Sequence, residues 1–210
     1  MNESIIKHYA NLFYKYGDTA ESAQWSSRES QERRFEILVA IGCLTDCHIL
    51  DFGCGTGHLF TYLNQNHHKI ASYTGVDIVP ELLEAGKIKY TGYTNVRFGL
   101  FEEFAQEHFD YVFVSGVFNN QRPTNQDFYK STIIRLFKMC KRGLAFNMLS
   151  SFVDYYDPNL FYEDPSVVLH FLKSDITPFV VLRHDYQVKS GVVPYEFTFY
   201  ALKQPEWENQ

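Results

Sequence analysis

Three alternating glycines lie just behind an aspartate in the segment Asp51-Phe52-Gly53-Cys54-Gly55-Thr56-Gly57. Glycine allows a sharp backbone turn and lets a ligand approach with no side chain in between. The apolar residues at 49–50 are typical of a buried strand, and the residues after Gly57 are typical of a helix. The free N–H groups at a helix start attract polar or anionic ligands. The segment therefore predicts a ligand-binding loop between a strand and a helix.

The spacing of these glycines distinguishes two kinds of binding loop. A dinucleotide loop follows G-x-G-x-x-G, and its third glycine lets the helix pack closely against the strand. In this sequence that third position is His58 when counting starts at Gly53, and Phe60 when it starts at Gly55. Neither register fits, so the dinucleotide interpretation is rejected. The spacing D-x-G-x-G-x-G, with Asp51 in front, is met in full.

The elements around the loop alternate between strands and helices, which predicts a parallel sheet with helices on both faces. A capping box of Ser26 and Glu29 is expected to start a helix that runs to about residue 41, and Pro80 is expected to start another. Further helices are expected at 58–66 and 125–141. Seven strands are expected, at 48–52, 72–78, 95–98, 111–115, 144–149, 179–182 and 196–202.

An acid lies at the end of the second predicted strand in Gly75-Val76-Asp77-Ile78, twenty residues beyond Gly57. The two acceptor oxygens of such a carboxylate suit a vicinal diol. Loop, acid and strand count together resemble the class I S-adenosylmethionine-dependent methyltransferases over roughly residues 35–202. The resemblance implies S-adenosylmethionine as the cofactor. It also implies a Rossmann-like α/β fold: a seven-stranded, mostly parallel sheet that closes with a C-terminal antiparallel strand pair.

The resemblance further implies which residues hold the cofactor. The glycine loop would cradle the methionine part, and Asp77 would bind both ribose hydroxyls. The family's usual acid after strand three is not in its place, because Gly99 is followed by Leu100. Glu102 or a backbone group near Phe101 would have to hold the adenine amino group. The expected cofactor residues are Asp51, Gly53, Cys54, Gly55, Asp77, Ile78, Phe101, Glu102, Ser115, Gly116 and Arg34.

Arg34 belongs to this set because of its place on the first predicted helix. It shares one face with Gln31, Phe35 and Leu38, at i, i+3, i+4 and i+7 spacing. An arginine on a core-facing stripe needs a partner. The methionine carboxylate is one candidate, since a guanidinium matches a carboxylate bidentately. A salt bridge to a protein acid, or a side chain that reaches back to solvent, is the alternative.

The acceptor is expected beyond the carboxyl ends of the strands, where open parallel sheets bind ligands. After the fourth strand the chain reads Ser115-Gly116-Val117-Phe118-Asn119. At this position, methylases of exocyclic base amines carry a motif that resembles Asn/Asp-Pro-Pro-aromatic. Catechol-type enzymes carry a metal-binding Asp where this chain has Ser115. Both differences point away from base-amine methylation and from metal-dependent chemistry, so no metal is expected. Substrate contacts are expected from Asn119, Asn147, Asp154 and Tyr155.

A general base is needed if the acceptor is an alcohol or an ammonium group. His184, after the sixth strand, is the candidate, and Asp185 or Asp154 is the candidate for its orienting group or a second base. The alternative is a histidine at a strand end whose ring is hydrogen-bonded to the backbone.

Two segments are candidates for covering the site. Residues 1–34 are interpreted as a cap or lid, in which aromatic side chains fold over the cofactor; ordinary packing is the alternative. Residues 150–165 are interpreted as an inserted loop over the active-site face, whose aromatics could wall a pocket or bind a partner chain. The aromatics concerned are Tyr9, Tyr14, Tyr16 and Trp25 in the first segment, and Phe152, Tyr155, Tyr156, Phe161 and Tyr162 in the second.

Length and composition set the outer limits. The 210 residues are expected to form one methyltransferase domain, 1–210. A net charge of −6 makes nucleic acid an improbable partner, because such partners require clustered cations. No apolar run approaches the 18 or so residues of a membrane span, and the four cysteines form no disulfide framework. A cytoplasmic protein is therefore expected; the oligomeric state stays open.

Three functions remain after these considerations. The first is methyl transfer to oxygen or nitrogen of a small metabolite, such as a sugar or a secondary-metabolite intermediate. The second is a regulatory protein that binds S-adenosylmethionine without catalysis, and the third is methylation of protein or RNA. The sequence favours the first, since it has neither a base-amine motif nor a basic surface signature.

Overall fold

The computed structural model describes residues 2–204 of the chain. These residues form a central sheet of eight strands. The strands are β1 (His48–Phe52), β2 (Ser72–Val76), β3 (Val96–Gly99), β4 (Phe109–Val114), β5 (Cys140–Ser150), β6 (Tyr162–Glu163), β7 (Val180–Arg183) and β8 (Glu196–Leu202). They lie side by side in the order β3-β2-β1-β4-β5-β8-β7, and the short β6 pairs with β5 beside this path.

All pairs from β3 to β5 are parallel, whereas β8 is antiparallel to both β5 and β7. This arrangement confirms the predicted fold class. The strand order reverses between β1 and β4, and ligands of open α/β sheets bind at such a reversal, beyond the carboxyl ends of the strands.

In the described part of the chain, six α-helices surround the sheet: α1 (Asn2–Tyr16), α2 (Arg28–Val39), α3 (His58–Gln65), α4 (Pro80–Lys89), α5 (Asn125–Met139) and α6 (Pro165–Phe171). Short 3₁₀ turns occur at Ala20–Ala23 and Phe101–Phe104, and a π-helical turn at Leu172–Ile176 follows α6. Within residues 2–204, no helix has the length and apolar character that a membrane crossing requires.

Two hydrophobic cores lie on the two faces of the sheet, because successive side chains of a strand point to opposite sides. In β4, Val112 and Val114 belong to the core under α5 and α6, while Tyr111 and Phe113 belong to the core under α2 and α3. The central strands are therefore apolar on both faces, as parallel strands covered by helices should be.

The structure adds one helix and shifts the limits of several predicted elements. Residues 2–16 form α1, which the sequence interpretation left without a helix. The N-cap of α2 is Ser27, whose hydroxyl accepts a hydrogen bond from the Ser30 N–H, so the helix starts one residue later than the Ser26 capping box predicted. Helix α5 ends at Met139 rather than 141, because Cys140 already pairs with Phe109 of β4.

The segment 150–165 is only partly a loop. Tyr162 and Glu163 form β6 and pair in parallel with the end of β5. Leu160 forms an isolated bridge with Asn120, in the loop that follows β4. These contacts attach the segment to the carboxyl edge of the sheet.

Candidate functional site

A cleft of about 480 Å³ opens where the carboxyl ends of β1, β2 and β4 meet. Its volume falls in the range of small-molecule and cofactor sites. The floor comes from the loops after these three strands, and the walls come from α1, α2 and the turn between them, from α5, and from the C-terminal part of the chain.

The glycine loop forms the floor below β1. Gly53, Gly55 and Gly57 all have positive φ, between 56° and 83°, a region that other residues rarely adopt. A Cβ on Gly53 would lie 2.2 Å from a Val117 methyl group, whereas one on Gly55 would meet nothing within 4 Å. Gly53 is thus required by protein packing, and Gly55 leaves open space on the ligand side.

Asp77 ties this loop to the end of β2. Its Oδ2 accepts the Gly55 N–H at 2.8 Å, and its Oδ1 accepts the Val79 N–H at 3.0 Å. Burial raises the pKa of Asp77, although the backbone donors favour its ionised form. Each carboxylate oxygen has a second acceptor position, so both remain able to accept a hydrogen bond from a ligand.

Asp51 lies deeper, at the end of β1, and is only 4% exposed. Its Oδ2 accepts the Tyr73 hydroxyl at 2.6 Å. Burial raises its pKa to about 7, the Tyr73 hydrogen bond lowers it, and the nearby Asp77 charge raises it again. Asp51 and Asp77 thus place two coupled carboxyl groups under the glycine loop.

Unpartnered polar atoms concentrate in the cleft. Six buried side-chain nitrogen or oxygen atoms within residues 2–204 have no hydrogen-bond partner, and five of them belong to residues that line the cleft. These are Gln31 Oε1, His58 Nδ1, Ser115 Oγ, Asn119 Oδ1 and Arg122 Nε. Buried polar atoms are ordinarily paired, so this concentration indicates a surface built to receive a polar ligand.

Arg34 reaches the cleft from α2 and is paired within the protein. Its Nε donates to Glu196 Oε2 at 2.8 Å, in a pair of which both side chains are at least 96% buried. Its Nη1 donates to the Ser30 carbonyl, and its guanidinium lies 4.1 Å over the Trp25 ring. Burial opposes the charged form, but Glu196 outweighs it and the pKa of Arg34 is raised.

The segment between α1 and α2 crosses the mouth of the cleft. Asp18 accepts hydrogen bonds from the Thr56 hydroxyl of the glycine loop and from Lys89 of α4. From α1, the Tyr9 hydroxyl accepts a hydrogen bond from Asn120 Nδ2 at 2.9 Å. Trp25 packs against Gly116, where a Cβ would lie 2.6 Å from the indole ring. The N-terminal segment is therefore attached to the loops after β1 and β4 and to helix α4.

Comparison with known proteins identifies the family of this fold and cleft. Residues 44–154, just over half of the chain, match the family model described as methyltransferase domain. The chain belongs to the methyltransferase family. The Mycobacterium tuberculosis protein Rv1506c, named as a methyltransferase, is 32% identical over an alignment of 161 residues. The match covers 74% of this chain and 92% of that protein.

Solved structures agree on the fold of this methyltransferase. Magnesium protoporphyrin IX methyltransferase from Synechocystis PCC 6803, with bound S-adenosylhomocysteine, superposes with a TM-score of 0.67 at 16% identity, over 97% of this chain and 96% of that one. The N-methyltransferase NodS of Bradyrhizobium japonicum WM9, also with S-adenosylhomocysteine, gives 0.59 at 16% identity, over 97% and 98% of the two chains. The predicted membership in the class I S-adenosylmethionine-dependent methyltransferases is confirmed.

The cleft of the methyltransferase contains all eleven residues that the sequence assigned to the cofactor. At its far end Phe101 lines the wall, with the Arg135 guanidinium 4.6 Å over its ring. Glu102 also lines this end, but its side chain is 76% exposed and 4.0 Å from Arg135. For Arg34, the structure contains the salt bridge of the alternative interpretation, with Glu196 as the acid, while the side chain still lines the cleft.

The predicted catalytic pair is separated from the cleft. His184 follows β7, and its Nε2 donates to the Pro194 carbonyl at 3.0 Å, which is the backbone-bonded alternative. Asp185 does not orient it, since that carboxylate forms a bidentate pair with Arg183. Neither residue is among the described residues that line the cleft.

Of the four predicted substrate residues, only Asn119 lines the cleft. Asn147 is fully buried and structural: its Oδ1 accepts the Gly116 N–H at 2.7 Å, and its Nδ2 donates to Glu196. Asp154 and Tyr155 lie in the exposed part of the 150–165 segment, where Tyr155 is 72% exposed. From that segment, Leu160 lines the cleft instead.

Several cleft residues were missed from the sequence. Ile5 enters from α1 beside Tyr9, which the lid interpretation had already named. The i, i+4 spacing of Ile5, Tyr9 and Phe13 could have predicted this amphipathic helix. Arg122 and Tyr195 had no comparable local signal, because loops that converge only in the folded chain bring them to the cleft. Within residues 2–204, no cluster of three or more His, Cys, Asp or Glu side chains could hold a metal ion.

Proposed function

We propose that this methyltransferase binds S-adenosylmethionine in the cleft and transfers its methyl group to oxygen or nitrogen of a small metabolite. The observation that carries this proposal is the concentration of unpartnered polar atoms around a glycine loop at the reversal of strand order. The bound cofactor supplies the electrophilic methyl group. We further propose that the chain forms one domain, over whose cleft residues 1–34 act as a lid. The proposed location of the protein is the cytoplasm.

The roles of the cofactor residues follow from their geometry. Asp77 offers two acceptor positions to the ribose hydroxyls, and the open side of Gly55 admits the methionine part. His58, at the start of α3, bonds through Nε2 to Glu32 and has a free Nδ1. Because burial lowers its pKa to about 4, the ring is neutral at pH 7 and its Nδ1 can accept from the methionine ammonium group.

The acceptor would enter beside Ser115 and Asn119, on the side of the cleft walled by α1, α5 and the C-terminal segment. Methyl transfer needs an acceptor held in line with the methyl carbon and kept from water. The Asn147 bond to the Gly116 N–H holds this loop in place, and Tyr9 and Trp25 cover it. A walled cleft of about 480 Å³ favours a small acceptor over a protein or RNA chain.

Calorimetric titration with S-adenosylhomocysteine tests the cofactor assignment. Asp77→Asn should weaken binding at least about tenfold, because one charged acceptor for the ribose hydroxyls is lost. Asp127→Asn, an exposed aspartate in the first turn of α5, is the matched control and should bind as tightly as the wild type. Equal affinities for all three proteins would remove the ribose assignment.

Incubation with methyl-labelled cofactor tests the acceptor class. Metabolite, protein and RNA fractions are offered separately to the wild type and to Asp77→Asn. Label in a small-molecule product, formed by the wild type and strongly reduced in the variant, is the expected result. Label confined to protein or RNA would refute the metabolite proposal, and tight S-adenosylhomocysteine binding without label in any fraction would favour a regulatory binding protein.

A further inference from the structure

Two arginines of the cleft differ in how their charge is compensated. Arg34 is buried and paired with Glu196. Arg122, on the loop between β4 and α5, is partly buried, and its Nε is inaccessible to solvent and without a hydrogen-bond partner. Within residues 2–204, no carboxylate lies within salt-bridge distance of Arg122. Burial lowers the pKa of the Arg122 guanidinium, and the opposing effect of Tyr9 does not reverse this shift.

The position of Arg122 is fixed by its surroundings. Its guanidinium stacks 3.9 Å over the Phe128 ring, and its backbone N–H donates to Asn125 Oδ1 at 2.7 Å. Asn125 also donates from Nδ2 to the Asn120 carbonyl, and the Asn120 side chain holds Tyr9. A side chain restrained in this way loses little entropy when it binds a ligand.

The carboxylates of the cleft are already engaged by other groups. Asp18 accepts from Thr56 and Lys89, Asp51 accepts from Tyr73, and Asp77 accepts two backbone N–H groups. Glu102 lies beside Arg135. None of these four is placed to neutralise Arg122. Arg122 is only partly buried, but its Nε is closed to solvent and has no acceptor, and buried polar groups are ordinarily paired. The missing acceptor is therefore expected from a ligand.

Arg122 also shares its loop with two other unpartnered atoms, Ser115 Oγ and Asn119 Oδ1. All three line the same cleft. We propose that the methyl acceptor carries a carboxylate or phosphate group, which Arg122 binds while Asn119 contacts the acceptor near the reacting atom. A guanidinium matches either anion with two parallel hydrogen bonds. This inference rests on the proposed function and specifies its substrate class.

The methionine carboxylate of the cofactor is the competing anion. It is expected at the glycine loop, where α2 contributes Arg34 and Gln31 and α3 contributes His58. Arg122 belongs instead to the loop after β4, on the wall formed with Tyr9 and Phe128. The experiment must still separate the two anions.

Side-chain NMR of the protein labelled with ¹⁵N-arginine and loaded with S-adenosylhomocysteine provides that separation. The Nε–H resonance of Arg122, assigned by its absence in Arg122→Gln, is followed during titration with sodium phosphate and, separately, sodium acetate at constant ionic strength. We expect a saturable shift of this resonance with at least one anion, and the anion that binds at least threefold more tightly identifies the group on the acceptor.

Two variants complete the test. Arg33→Gln removes an exposed arginine that pairs with Glu36 outside the cleft, so its Arg122 resonance should shift as in the wild type. Arg122→Lys keeps the charge but not the fork, and should bind the anion at least fivefold more weakly by calorimetry. It also provides a folded variant if Arg122→Gln does not fold.

The proposal is overturned if the Arg122 resonance shows no saturable shift with either anion. It is also overturned if Arg122→Lys loses S-adenosylhomocysteine affinity more than tenfold, because that result would assign Arg122 to the cofactor. Failure of the proposed function would appear differently, as wild-type protein that does not bind S-adenosylhomocysteine at all. The anion titration can then be repeated without it and stands on its own result.

Discussion

Replacing Glu196 by leucine should destabilise the fold far more than the loss of an ordinary salt bridge. Glu196 lies at the start of β8 and is 1% exposed. It accepts hydrogen bonds from Arg34 Nε at 2.8 Å and from Asn147 Nδ2 at 2.9 Å, and a longer one from the Tyr186 hydroxyl at 3.3 Å. The substitution leaves a guanidinium and an amide buried without their acceptor.

The expected magnitude follows from these two stranded groups. Removing one partner of a buried ion pair costs about 3–5 kcal/mol, because the remaining charge is left uncompensated. An unpaired buried amide donor adds about 1–3 kcal/mol. Arg34 keeps its bond to the Ser30 carbonyl and its contact with Trp25, which offset part of the loss. We therefore expect the free energy of unfolding to fall by about 4 kcal/mol.

Urea denaturation followed by tryptophan fluorescence and circular dichroism measures this change. Glu36→Leu is the matched control, since Glu36 pairs with Arg33 on the same helix but both side chains are exposed. That variant should lose less than about 1 kcal/mol. The double variant Arg34→Met/Glu196→Leu should be more stable than Glu196→Leu alone, because it contains no stranded charge.

The reasoning is refuted if Glu196→Leu costs less than about 1 kcal/mol, or if the losses of Arg34→Met and Glu196→Leu simply add in the double variant. Simple addition would mean that the two side chains do not interact, although they lie 2.8 Å apart.

Two further predictions concern the loop and the carboxyl pair. Gly55→Ala and Gly17→Ala both place a side chain at positive φ with no neighbour within 4 Å, so each variant should lose about 1 kcal/mol of stability in chemical denaturation. Only Gly55→Ala should weaken S-adenosylhomocysteine binding. Equal affinities of the two variants would show that Gly55 does not face the ligand. The pKa of Asp51 is raised to about 7 in the folded state, whereas that of an unfolded aspartate is near 4. The folded state therefore binds this proton more tightly, and the free energy of unfolding falls as the pH rises from about 4 to 7. Asp51→Asn should reduce that loss by at least about 1 kcal/mol in denaturation at pH 5 and pH 8, and an unchanged difference would show that Asp51 ionises normally.

The sheet and the floor of the cleft could be predicted because their signals are local. The glycine spacing, the acid at Asp77 and the alternating elements each lie within a few residues along the chain. Helix α1 was missed although Ile5, Tyr9 and Phe13 share one face, so its amphipathic pattern was available in the sequence. What the sequence does not display is its partner, since α1 forms a small separate cluster with Val79 and Leu82 at the start of α4.

The walls of the cleft depend on long-range contacts, which one sequence does not display. Asn147 was expected at the substrate because it ends a central strand, but its buried amide is engaged by Gly116 and Glu196. His184 has a suitable residue type at the carboxyl edge, but the connection to β8 directs its ring to the Pro194 carbonyl. Arg122 could be recognised as a candidate anion-binding residue only because no described carboxylate lies near it, and this can be seen only in the three-dimensional structure.

The place of β8 has a consequence for how the chain is synthesised. Among residues 2–204, β8 is the last strand in sequence, yet it lies inside the sheet between β5 and β7. Its first residue, Glu196, accepts hydrogen bonds from Arg34 and Asn147. While a nascent chain is still missing these residues, β5 has an open edge and the loop at Gly116 lacks its buried support. We therefore expect a chain that ends before residue 196 to fail to fold, so that S-adenosylhomocysteine binding requires translation through β8.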